Sequence, residues 1–474
     1  MIYRIFFLLL FSISLLTISS TAQENPANKI TGDWQGVLDA GAVKLRIVFH
    51  FKNENNKLLG ALDSPDQGAN GIPIDSLSLD NSKIKLEILR IGGSYEGTLN
   101  QNADEIVGKF SQGGVALPLN LKRGTAASMA PPKRPQTPVK PYPYDEQEIE
   151  FENKAANIKL AGTLTLPRTK APFPVVVLIS GSGPQDRNES LLGHQPFLVL
   201  SDHLTRQGIA VLRYDDRGVA KSKGDFSKAT SEDFASDVLS AVAYLKTRKE
   251  INPKKIGLIG HSEGGMIAPM CATKSTDISY IVLMAGSGVT GEEILYEQGR
   301  LLMLAEGSTP DEAARNRKLQ EKMIAVLKSE KDEATAEKKL RDVMIAHIRE
   351  MSEAQKKAAD ANPGALVAQI KSMNNPWFRF FVTYDPRVAL RQIKIPVLAI
   401  NGELDLQVSS KQNLPEIAKA LKAAGNKKFQ TVELPKLNHL FQPTKTGALS
   451  EYGKIEETIS PAALTMMSDW VRKR

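Results

Sequence analysis

A single cysteine, Cys271, occurs among 474 residues, so no disulfide can form within the chain and stability has to come from buried apolar cores. It sits in Met266-Ile267-Ala268-Pro269-Met270-Cys271-Ala272, which reads as a packed core thiol rather than a nucleophile. No cysteine lies near the expected cleavage site, so a lipoprotein anchor is not supported. Histidine is scarce too, with six residues, so candidates for a general base are few. Neither sign of charge dominates: 61 Lys and Arg against 53 Asp and Glu leave +8, mild for this size. The basic residues form no stripe with interleaved aromatics, which argues against nucleic-acid binding. The apolar run Ile5 to Leu16 is too short to span a bilayer. With Arg4 before it and Ser20, Thr21 and Ala22 after it, it predicts a signal peptide over 1–22, a mature chain from Gln23, no stable membrane insertion after cleavage, and a secreted or periplasmic protein.

What is present is a chemistry-bearing turn. Lys255-Ile256-Gly257-Leu258-Ile259 runs straight into Gly260-His261-Ser262-Glu263-Gly264, a Gly-x-Ser-x-Gly spacing with a mechanical reason behind it. A serine on a sharp strand-to-helix turn has a strained backbone, and the two glycines remove side chains that would clash there. Ser262 is the candidate nucleophile. A helix over Glu263 to Thr273 would aim its first N–H groups at an anion forming beside Ser262. The N–H of Glu263 is therefore one oxyanion donor. The second is expected from Ser180-Gly181-Ser182-Gly183-Pro184-Gln185-Asp186, the small-residue loop after the strand Pro174 to Ile179, with Ser182 first and Gly183 next.

In chain order the acid and the base should follow the serine. His50, His194, His203 and His261 precede it and His347 falls in a charged helical stretch, which leaves His439, in the loop after the strand at Val432. The acid comes from Ile395-Pro396-Val397-Leu398-Ala399-Ile400-Asn401-Gly402-Glu403-Leu404-Asp405, with Asp405 preferred over Glu403. His439 would take the serine proton and return it to the leaving group, and Asp405 would hold the imidazole tautomer. His261 is expected to orient or pack, and Glu263 to act through its backbone.

Residues 23–123 are built of short alternating segments separated by Asn- and Gly-rich turns, which predicts a small all-β antiparallel barrel or sandwich with Trp34 as a core plug. A Pro-rich stretch, 124–144, reads as a semi-rigid extended linker. From 145 to 474 apolar strands alternate with helices, which predicts a mostly parallel sheet buried on both faces, its site at the carboxyl ends of the strands. Arg213-Tyr214-Asp215-Asp216-Arg217-Gly218 reads as a structural loop whose charges pair. An insertion at about 287–390, rich in Ala, Glu and Lys with Leu319, Met323, Val326 and Leu327 at helical spacing, predicts a helical cap. Trp377 and Phe378, with Phe380 and Phe381, are candidates to line the substrate pocket beneath it.

The run from about Glu148 to Arg474 resembles an α/β-hydrolase, and the segments at Ser180, Arg213, Gly260, Gly402 and Asn438 resemble those of secreted bacterial carboxylesterases with an N-terminal β-domain. The resemblance implies a metal-independent serine esterase without cofactor and carries nucleophile, acid and base over to Ser262, Asp405 and His439. The expected substrate is a small ester or an acylated saccharide. Two further readings stay open: a serine aminopeptidase, which needs cap carboxylates to hold a terminal ammonium, and a glycan-binding protein with an inert hydrolase part. The sequence carries no indication of oligomeric state.

Overall fold

The computed structural model describes residues 26–474 except 40–43, 56, 68, 113–114, 125–132, 352, 354–355 and 357–362. The expected signal peptide lies outside the described residues.

Ten N-terminal strands, β1 to β10, form one antiparallel sheet: Gly32–Asp39, Lys44–Glu54, Lys57–Ser64, Ala69–Pro73, Ser76–Asp80, Lys83–Ile88, Gly93–Leu99, Glu105–Gln112, Val115–Pro118 and Leu121–Arg123. Alternation is what puts one face inside: in β6, Lys83, Lys85 and Glu87 point to water while Ile84, Leu86 and Ile88 are buried. The order β4-β3-β2-β1-β10-β8-β7-β6-β5 leaves two ends, with β9 added on β8, so the sheet curls around one core as a half-barrel. Trp34, Phe49, Phe51 and Tyr95 fill that core. Trp34 is the expected plug; its indole N–H donates to the Ile30 carbonyl at 2.7 Å and Arg123 lies 4.6 Å over its ring.

The described half of the Pro-rich stretch is tied down rather than acting as a spacer. Prolines offer no N–H, so side chains do the bonding. Arg134 donates to the carbonyls of Leu192, Gly453 and Ile455 at 2.7–3.0 Å, and the Gln136 side-chain carbonyl oxygen accepts the N–H groups of Thr458 and Ile459. Leu45, on β2, packs against Leu192, Leu440 and Tyr452, so the half-barrel touches the loop that carries His439.

Eight further strands form the second sheet, β11 to β18: Asp145–Asn153, Ile158–Leu166, Phe173–Ile179, Ala210–Tyr214, Ile251–His261, Ile278–Met284, Val397–Gly402 and Phe429–Leu434. Their order is β11-β12-β14-β13-β15-β16-β17-β18. The pairs β11–β12 and β12–β14 are antiparallel and the remaining pairs parallel. The central strands are apolar throughout because both faces are covered. Helices α1 (Pro196–Arg206) and Pro461–Arg472 cover one face; α2 (Ser231–Lys246), α3 (Glu263–Lys274) and Ser410–Ala423 cover the other. This is the α/β-hydrolase arrangement. Cys271 lies in the second core, fully buried, and burial pushes its thiol far up.

Between β16 and β17 the chain leaves the sheet as the expected helical cap, with helices Gly291–Ala305, Pro310–Ser329, Glu333–Arg349, Pro363–Met373 and Pro376–Thr383. Thr309, as N-cap, and Glu312 form a capping box around Pro310, which starts the second of these. Met323 and Leu327 meet Leu340, Met344 and Ile370 in a separate small core.

Candidate active site

β15 ends at His261 and α3 begins at Glu263, so a single residue has to make the turn. That residue is Ser262, at φ +54° and ψ −114°, a conformation that L-residues adopt only when the surroundings impose it. Its N–H is held by the Met284 carbonyl at 2.8 Å, and its own carbonyl accepts the Gly265 N–H at 2.9 Å. The turn is tight enough that a Cβ on Gly260 would stand 2.0 Å from the Gly264 oxygen, and one on Gly264 2.1 Å from the Ile179 oxygen. Both obstacles are backbone and cannot swing aside. Gly260→Ala should therefore destabilise the fold by about 3 kcal/mol or more, at the upper end of overpacking costs. Denaturant unfolding checks this, and an unchanged midpoint would contradict it.

Asp405 and His439 meet. The carboxylate Oδ2 lies 2.8 Å from His439 Nδ1, while Oδ1 accepts the backbone N–H groups of Gln407 at 2.9 Å and Val408 at 2.8 Å. Asp405 is 2 % exposed. Glu403 points to solvent and accepts the Lys436 N–H. The two loops approach closely because Gly402 has no side chain: a Cβ there would stand 2.3 Å from the Leu437 oxygen. Asn438 shapes the histidine loop, its carbonyl oxygen accepting the N–H groups of Leu440 and Gln442.

Ser262, His439, Ser182 and the start of α3 at Glu263 line one cavity of about 160 Å³. No hydrogen bond joins the Ser262 hydroxyl to His439 among the described residues; such contacts often tighten only around substrate. The N–H groups of Ser182 and Glu263 have no acceptor among the described residues, whereas the Gly181 N–H is taken by Glu189 at 2.8 Å. Gly183, at φ +91°, does not line the cavity.

The loop carrying Ser182 is anchored by Asp216, whose carboxylate accepts the Ser180 hydroxyl at 2.7 Å and the Gln185 N–H at 3.0 Å. Burial pushes the Asp216 carboxyl up, against those two bonds. Its neighbours do pair, but with residues outside the segment: Asp215 with Arg187 and Arg217 with Asp237.

The cap closes the cavity with Ile294, Leu295 and Gln298 from its first helix and Trp377 and Phe381 from its last. Trp377 and Phe381 stand one turn apart on one helix face and stack at 5.3 Å with 7° between planes. Phe378 is a correction to the sequence reading. One residue on from Trp377 it is rotated away from that face, and it packs instead into the cap cores beside Ile324 and Met323. Glu263 contributes more than backbone. Its buried side chain accepts the Ser231 hydroxyl at 2.6 Å and the Trp377 indole N–H at 2.8 Å, which ties the cap to the start of α3, and burial raises its pKa.

Two side chains lie behind the site. His261 Nδ1 is 2.9 Å from Glu189 and its Nε2 is 3.0 Å from the backbone carbonyl oxygen of His439. His261 thus orients, as expected. Glu189 escapes sequence reasoning, because nothing in its surroundings along the chain marks it. Ser287 and Gln407, which also line the cavity, escape it for the same reason.

A family model described as X-Pro dipeptidyl-peptidase (S15 family) matches residues 156–440, more than half of the chain. The esterase EstD of Thermotoga maritima is 30% identical over 196 residues, 41% of this chain and 47% of its own length. A putative hydrolase of Bacillus subtilis, YtaP, is 34% identical over 120 residues, 21% of this chain and 39% of its own. The chain thus spans less than half the length of these curated relatives. Among solved structures, the Pyrococcus furiosus esterase Pf2001 is 16% identical, with 70% of this chain and 93% of that one covered at a TM-score of 0.41.

Proposed function

The chain belongs to the X-Pro dipeptidyl-peptidase (S15) family, and on that footing we propose that it is a serine hydrolase cleaving small carboxylic esters, with Ser262 as nucleophile, His439 as general base and acid, and Asp405 as its partner. The observation that carries this is a strained Ser262 sharing a cavity with a histidine whose far nitrogen is 2.8 Å from a buried carboxylate. Ser262 Oγ attacks the ester carbonyl carbon while His439 Nε2 takes its proton. The N–H groups of Glu263 and Ser182 bind the resulting oxyanion. His439 then returns the proton to the departing alcohol, and water activated by the same nitrogen releases the acid from the acyl-enzyme.

The cavity supports a short acyl group. About 160 Å³ is below the range of roughly 300–1,000 Å³ usual for drug-sized ligands. We expect kcat/KM for p-nitrophenyl acetate to exceed that for the octanoate by about tenfold or more, since each methylene that does not fit is worth about 1–3 kcal/mol. A panel of p-nitrophenyl esters measures this, and a preference for the octanoate would overturn the assignment. The matching family's description favours a second reading, release of X-Pro dipeptides. Higher kcat/KM on an X-Pro p-nitroanilide than on the acetate would replace the ester reading with that one.

A further inference from the structure

Behind the reacting groups, two ionisable side chains are buried with no part in the steps above. The side chains of Glu189 and His261 are each 7% exposed, and charges at that depth persist only when paired and hydrogen-bonded. The two ring nitrogens of His261 face acceptors on opposite sides. Nε2 meets the His439 carbonyl oxygen at 3.0 Å, and a carbonyl only accepts, so Nε2 carries a proton. Nδ1 meets Glu189 Oε1 at 2.9 Å, and the same oxygen accepts the Gly181 N–H at 2.8 Å. A carboxylate oxygen has lone pairs for both donors, so an ionised Glu189 can accept from a protonated Nδ1 as well as from Gly181.

We propose that Glu189 and His261 form a positioning clamp, an imidazolium–carboxylate pair that fixes the loop of the Ser182 oxyanion donor on one side and the loop of His439 on the other. Glu189 holds Gly181, the residue before Ser182. His261 holds the backbone of the base itself. A Cβ on Gly181 would stand 3.3 Å from both Glu189 Oε1 and the Ser262 Cβ, a tight approach that would press on both side chains. The ionisable groups facing His261 are Glu189 from the loop after β13, Asp405 from the loop after β17 and the His439 ring, 4.9 Å away between centroids; Phe441 closes a further side. Burial pulls the pKa of His261 down, but Glu189 by charge and hydrogen bond, helped by Asp405, brings it above the ordinary histidine value.

Loss of one proton breaks the clamp on one side. Either a lone pair on Nδ1 faces the carboxylate or one on Nε2 faces the carbonyl. The support is therefore complete below the ionisation of His261 and is lost as pH rises through it. Neither residue touches substrate, so the effect belongs in kcat and not in KM.

The inference rests on the ester-hydrolase reading for its kinetic readout only. The experiment compares the full chain with Glu189→Gln and His261→Gln on p-nitrophenyl acetate from about pH 6 to about pH 10. In Glu189→Gln, kcat at neutral pH should fall about tenfold with KM within about twofold, because a displaced oxyanion donor is only partly lost. Its alkaline limb should move down by about one pH unit or more, since the imidazolium has lost its counter-charge. His261→Gln should lose that limb altogether. An alkaline limb unmoved in Glu189→Gln overturns the proposal. Should either variant fail to fold, nitrogen NMR of the wild-type histidines decides: both ring nitrogens of His261 protonated at neutral pH is the expected result, and a neutral ring overturns the clamp. A wild type inactive on esters would sink the ester reading and leave that spectrum to judge the clamp.

Discussion

Ser262→Ala should lower kcat for p-nitrophenyl acetate by about a million-fold, the scale on which removing a serine nucleophile acts, while leaving the fold intact. What survives is catalysis by the oxyanion donors and by binding alone. The stability change should stay within about 0.5 kcal/mol, because the Ser262 side chain caps nothing and its removal orphans no buried partner. Alanine keeps the same strained turn, since the strain comes from the backbone between β15 and α3 and not from the hydroxyl. The rival nucleophile is Cys271, and it is a poor one: fully buried, its thiol pushed far up by burial, its sulfur against the Ala235 carbonyl. Cys271→Ala should hydrolyse the acetate at the wild-type rate. A Ser262→Ala protein that keeps a tenth of the activity, once freed of contaminating esterase, would remove Ser262 from the mechanism.

The parts of the site that are legible in the sequence are those in which local sterics dictate residue type. Gly260 and Gly264 are glycines because each would otherwise drive a Cβ to about 2 Å from a backbone atom, and that necessity shows along the chain as a fixed spacing around Ser262. Asp405 is legible because it lies just past the apolar run of β17, buried along its whole length, and His439 because it follows the last strand, β18; the ends of these neighbouring parallel strands converge. The helical cap is legible for a similar reason: Met323 and Leu327 lie one turn apart, and both are buried.

What is not legible depends on phase and on distant pairing. Trp377 and Phe378 are adjacent aromatics, and only the start of the helix at Pro376 and the position of the cap core decide which of them faces the site. Asp215 and Arg217 look like partners in one segment, yet a turn sends them to Arg187 and Asp237, each on a different element. Glu189 meets His261 across 72 positions of chain, with no periodicity to announce it. The half-barrel is a fourth case. Alternation tells which face of each strand is buried, but whether ten strands close, stack or stop open is set by which strands pair at the ends, here β4 and β5.

Asp405→Asn set against Glu403→Gln separates two carboxylates two residues apart, and the expected losses differ by orders of magnitude. In Asp405 one oxygen serves the Gln407 and Val408 N–H groups and the other faces His439 Nδ1. An asparagine has one accepting oxygen, and two backbone donors compete for it against one ring nitrogen. The oxygen therefore turns to the backbone and the NH₂ group faces Nδ1, which has to become an acceptor. The ring proton then moves to Nε2, the nitrogen that needs a free lone pair to take the proton of Ser262. The protein stays folded with its base in the wrong tautomer, and kcat should fall about 10⁴-fold. Glu403 has no such bind. It is exposed and accepts a single N–H, from Lys436, which a glutamine oxygen accepts as well. Glu403→Gln should keep kcat within about twofold, as surface substitutions without a special role do. Steady-state rates corrected by active-site titration, with melting temperatures to show that both variants fold, give the comparison. A loss at residue 403 equal to or larger than that at 405 would assign the acid to the wrong loop position and with it the tautomer argument above.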